Sequence, residues 1–101
     1  MDENKVLEVL ALYRKELKHR GYKGRRFIHQ DRAPERSESL AHCYYMATKV
    51  INGMKLKKGD RNFFSIGKAK RWLGFIQGAL WMNGVYTIDE VREHNHPQEE
   101  P

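Results

Sequence analysis

The stretch from about Asn62–Ser65 to Asn83 constrains this chain more than any other. Stepped at about 100° per residue, Phe64, Ala69, Trp72, Leu73, Phe75, Ile76, Ala79, Leu80 and Met82 cover half the circumference of a helix. A helix so apolar belongs at the centre of its domain, buried on more than one side. Asn83-Gly84 is its stop. Gly67, Gly74 and Gly78 form a second strip beside the apolar arc. Each glycine inside a helix costs about 1 kcal/mol relative to alanine. Three on one strip predict that another backbone comes close there. Lys70 and Trp81 flank the strip, and Arg71 lies within it. Trp81 falls about 80° from Leu73 on the ideal wheel, off the main arc. Two coverings of this strip follow: the first helix or a neighbouring loop within the monomer, or an external partner, a second copy included.

Two further segments share the 3.6-residue period. Val6, Leu10, Tyr13 and Leu17 make one stripe between Asp2 and Arg20. Asp2 and Glu3 suit the positive end of that helix, Lys18, His19 and Arg20 the negative end, and Gly21 a left-handed C-terminal residue. Leu40, Tyr44, Ala47, Ile51 and Met54 stripe a second helix from about Pro34–Ser37 to Lys55, with Ser37 or Ser39 as its cap. Thr87-Ile88-Asp89-Glu90 is a capping box opening a short fourth helix, with Tyr86 and Val91 placed as its staple. No stretch alternates with period two. The chain of 101 residues therefore reads as one all-α domain: a small helical bundle of three main helices plus a short C-terminal helix. The domain spans 1–94, and 95–101 is a flexible acidic tail, with fraying expected from His94 onward.

Residues 21–36 lack any period and form a long basic loop, with Phe27 and Ile28 as its expected anchors in the core. Residues 18–36 hold seven Lys or Arg against two acids, and residues 87–101 one against five. A basic middle with acidic ends attracts phosphates or an acidic protein surface. Arg20, Tyr22, Lys23, Arg25, Arg26, Arg32 and Arg36 are the candidate nucleic-acid contacts, cations for phosphate and an aromatic for stacking. No helix-turn-helix or RNA-binding signature accompanies them. Lys70, Arg71, Gly74, Gly78 and Trp81 are the candidate partner-binding residues, since Trp and Arg concentrate at interface hot spots.

Other chemistry finds little support. A single cysteine, Cys43, cannot build a disulfide scaffold or a Cys-based zinc site within one chain. His42 beside it points about 100° away on a helix, poorly aimed to deprotonate it. His94-Asn95-His96 is an H-x-H pair with no further ligands at fixed spacing, so no metal is expected. No paired carboxylates or nucleotide-binding glycine motif stand out, and no cofactor is expected. No apolar run approaches the ~20 residues of a membrane span. The polar opening Met1-Asp2-Glu3-Asn4 has no signal-peptide character, and a reducing cytoplasm is the expected compartment.

Lys68 to Asn95, and above all Arg71-Trp72-Leu73-Gly74-Phe75-Ile76-Gln77-Gly78, resembles a group of small tailed-phage and prophage proteins carrying an RWLGFIQG-like segment. The likeness covers the last third of the chain and, loosely, its first helix. It implies phage origin and expression in a host bacterial cytoplasm. No activity comes with it. The expectation is a non-enzymatic phage-encoded protein that modulates or inhibits a host protein with an acidic surface. The alternative is a small basic nucleic-acid-binding protein.

Overall fold

The fold is given by a computed structural model that describes residues 1–96. It is all-helical among those residues, with four helices in chain order. They are α1 (Glu3–His19), α2 (Arg36–Met54), α3 (Ile66–Met82) and α4 (Ile88–Asn95). Helix α2 packs on both α1 and α3, and α4 lies across α1 and α3. The small bundle of three main helices and a short fourth is the architecture that the periodicities imply. The expected acidic tail lies largely outside the described residues.

Each helix is bounded by local chemistry. The Asp2 carboxylate accepts from Lys5 N–H at 2.8 Å and opens α1. At its other end Gly21 takes φ +92°, and the Gly21 and Tyr22 amides donate back to the carbonyls of Lys18 and Leu17. That is a Schellman stop. Gly84 (φ +72°) closes α3 in the same way through Leu80 and Trp81. The Ser65 hydroxyl caps α3, and Thr87 and Glu90 form the expected capping box of α4. Helix α2 differs from expectation. Its N-cap is Glu35, not Ser37 or Ser39. Glu38 accepts from the Glu35 amide at 3.0 Å and holds Arg32 with both oxygens, at 2.9 and 2.8 Å. Glu38 therefore starts the helix and ties down the preceding loop together. That ion pair, helped by the Glu35 amide, keeps the Glu38 carboxyl at about 2.

Val6, Leu10, Tyr13 and Leu17 of α1 meet Leu40, Ala47 and Val50 of α2 and Leu73, Ile76 and Leu80 of α3 in one core. Two members of the expected apolar arc of α3 are missing from it: Phe75 is 62 % exposed and Met82 74 %. Trp72 is half-buried against the edge of the core, its ring edge-on to Phe64 at 4.8 Å. The α3 core face is thus narrower than composition suggests. Helix α3 is buried on one side, with its opposite side in solvent.

The segment between α1 and α2 carries no regular structure, yet it is fastened as a strap along α2. The Arg25 amide donates to the Ala41 carbonyl at 3.1 Å, and the Phe27 amide to His42 Nδ1 at 3.0 Å. Gly24 lies so close to Tyr44 that a Cβ there would stand 2.9 Å from the ring. The expected Phe27–Ile28 anchor is only half present: Phe27 is partly buried, and Ile28 is 70 % exposed. Backbone hydrogen bonds and a glycine contact fix this loop instead of apolar side chains.

The expected fraying from His94 also fails for its first two residues. His94 and Asn95 belong to α4 and join a part-buried polar cluster between α1, α3 and α4. Gln77 Nε2 donates to Tyr13 Oη at 3.0 Å and to Asn95 Oδ1 at 2.6 Å. Asn95 Nδ2 donates back to Gln77 Oε1 at 3.2 Å. Tyr13 Oη also pairs with His94 Nδ1, 2.9 Å away. The Tyr86 ring packs on both Tyr13 and His94.

Candidate functional site

The outward side of α3 brings together every partner-binding candidate. Lys70, Arg71, Gly74, Gly78 and Trp81 are all exposed. Trp81 is 47 % exposed on one flank of the glycine strip, and Phe75 and Met82 stand on the other. The strip itself is bare. A Cβ built on Gly74 or Gly78 would meet nothing within 4 Å, and one on Gly67 only Arg71 Nη1 at 3.8 Å. The expectation of a close backbone approach within the monomer is therefore overturned. Neither α1 nor the strap covers the strip: α3 turns its buried face to α1, and the strap comes near α3 only at its Trp72–Phe75 flank. The close approach occurs at Gly53 instead, where the Asn62 carbonyl and the Phe64 ring fold back onto α2. Phe64 N–H donates to the Gly53 carbonyl at 3.0 Å. Nothing in the α2 periodicity singled Gly53 out.

The basic loop residues are dispersed by their partners. Arg20 pairs with Glu16 at 3.0 Å. Arg32 is committed to Glu38 and lies over the Phe27 ring at 5.1 Å. Arg36 donates to the Asn83 carbonyl and to Tyr22 Oη, which packs against the core. Lys23, Arg25 and Arg26 remain exposed with no ion pair among the described residues. Sequence reasoning missed a second basic cluster. Lys49 of α2 sits 5.9 Å from the ring centres of Tyr45 and Trp72, and Lys68 of α3 sits 5.8 Å from Trp72 and 4.4 Å from Phe64. Neither lysine belongs to the apolar stripes or the basic loop, so only their place in space reveals the cluster.

The chemically reactive candidates are internal. Cys43 is buried, and that burial pushes its thiol up to about 11. His42 cannot activate it, since His42 Nδ1 already accepts from the Phe27 amide. His94, one half of the H-x-H pair, is engaged with Tyr13, whose hydroxyl burial raises to about 12. Among the described residues no three His, Cys, Asp or Glu side chains gather as metal ligands. No helix among them is long and apolar enough to cross a membrane. No known protein family, curated protein or solved structure matches the chain.

His42 Nδ1 accepts from the Phe27 amide and His94 Nδ1 shares a hydrogen bond with Tyr13 Oη, so both imidazoles are engaged inside the fold. Burial depresses both below the ordinary 6.5. Arg26 adds to this at His42. At His94, Lys5 adds to it, while Glu90 and Glu93 oppose it. As pH falls, the unfolded chain takes these protons first. The stabilisation is then complete above about pH 6.5 and is lost as pH drops through the lower folded values. Melting temperature should fall between about pH 7.5 and 5.5, and His94→Gln, which keeps an acceptor without a titration, should flatten the fall. A wild-type melting temperature constant over that window would contradict the assignment. Glu38 and Glu90, both depressed by hydrogen bonds, add a second loss only below about pH 4.5.

Proposed function

We propose that this is a non-enzymatic protein-binding domain that docks an acidic partner on the outer face of α3. The observation that carries the reading is one helix face that exposes Phe75, Trp81 and Met82 around two bare glycines. An exposed apolar face rimmed by cations is the composition of a recognition surface. Glycines there let a partner backbone approach closely. Lys68, Lys70 and Arg71 favour an acidic partner over self-association, because a second copy would present the same three cations. Arg71, Gly74, Phe75 and Gly78 are the outward half of the segment that resembles the phage proteins. That resemblance supports the finer reading of a phage-encoded modulator or inhibitor of a host protein, acting in the host bacterial cytoplasm.

Nucleic-acid binding through the loop is the weaker reading, since Arg20 and Arg32 are already paired and Tyr22 is packed. Affinity capture from nuclease-treated bacterial lysate separates the two. A discrete protein that survives nuclease and is lost with Trp81→Ala, a change at an exposed position, supports docking on α3. Capture that vanishes with nuclease and ignores Trp81→Ala would replace it with the nucleic-acid reading.

A further inference from the structure

A concavity opens on the flank of α3. It lies between α2, α3 and the strap, has a volume of about 290 Å³, and is lined by Arg26, His42, Tyr45, Met46, Lys49, Trp72 and Phe75. No acid lines it. Glu38, at the start of α2, is spent on Arg32. Arg26, Lys49 and the Lys68 ammonium over Trp72 form no ion pair among the described residues. Two unneutralised cations, Arg26 and Lys49, thus line the groove, and a third, Lys68, stands 5.8 Å from the ring of its Trp72 wall.

We propose that this groove binds an acidic peptide segment, with Arg26, Lys49 and Lys68 facing its carboxylates and Phe75 meeting an apolar side chain between them. The inference rests on the protein-binding reading and names the chemistry of the partner. Charge complementarity selects the acidic occupant. The state of the aromatic rings selects peptide over nucleic acid. Successive bases need a row of open ring faces. Here Tyr45 and Trp72 are half-buried with lysines over them, and Phe75 alone stands open. Phe75 also borders the outer face of α3, so one partner can seat on that face and run an acidic segment into the groove.

The two tryptophans report the two surfaces separately, Trp72 in the groove and Trp81 on the outer face. The experiment follows both indole N–H signals in ¹H–¹⁵N spectra of the full chain. The probes are a synthetic Glu-Glu-Asp-Leu-Phe-Asp-Glu-Glu peptide, its Gln/Asn counterpart, and an oligo-dT of equal length. The acidic peptide should shift Trp72 saturably and the neutral one should not. Arg26→Glu, at an exposed position with no ion pair among the described residues, should weaken the binding severalfold or more without lowering the melting temperature. No Trp72 shift, an equal response to the neutral peptide, or preferential binding of oligo-dT would overturn the proposal. A peptide that moves Trp81 alone overturns the groove and leaves docking on α3 intact. Capture from lysate that ignores Trp81→Ala sinks docking on α3, whatever Trp72 does.

Discussion

Gly53→Ala should destabilise the domain by about 3 kcal/mol, at the top of the range for overpacking a tight site. A Cβ at this position would lie 2.7 Å from the Asn62 carbonyl oxygen and overlap the Phe64 ring. Neither neighbour yields easily. The carbonyl is backbone, in a turn held by Asp60, whose side chain accepts from the Asn62 amide and whose carbonyl accepts from Phe63. Phe64 is buried, and its amide is bonded to Gly53 itself. The extra methyl group therefore has to pry the α2–α3 connection off the end of α2. For a domain of this size the loss corresponds to roughly 10–20 °C in melting temperature. Thermal unfolding followed by circular dichroism measures it. A Gly53→Ala protein that melts with the parent would show that the connection does not fold back on α2 as described.

That sensitivity contrasts with the glycines of α3. Gly74 and Gly78 also sit inside a helix, but their surroundings are empty. Their backbone is ordinary helix, without the positive φ of Gly21, Gly59 and Gly84. Alanine at either site should therefore stabilise the free domain by about 0.5–1 kcal/mol. The same substitution changes sign between α2 and α3 because of what stands outside the helix.

Much of the fold was legible because it is written in local chemistry. The period of Val6, Leu10, Tyr13 and Leu17, the Gly21 and Gly84 stops and the Thr87 box all act within a turn or two of chain. What the sequence hid depends on distant partners. Phe75 and Met82 look like core on a helical wheel, yet the bundle offers them no neighbour. Gln77 looks like surface, yet it is 8 % exposed because Tyr13 and Asn95 satisfy its amide. His94 and Asn95 read as tail for the same reason. The glycine strip was recognised as a unit, but the wheel cannot tell which side of α3 faces α2. The groove cations Lys49 and Lys68 are nineteen residues apart and meet only around Trp72.

Docking on the outer face of α3 is tested most directly by combining Gly74→Ala with Gly78→Ala. One variant is read in two ways, by its melting temperature and by quantitative capture of partner from nuclease-treated bacterial lysate. If the bare glycines exist to admit a partner backbone, two methyl groups interfere with the complex while improving the free helix. The double variant should melt higher by several degrees, from about 1–2 kcal/mol of added stability, and should retain about a tenth or less of the captured partner. A variant that melts higher and captures the same partner at the parental level would contradict docking on this face.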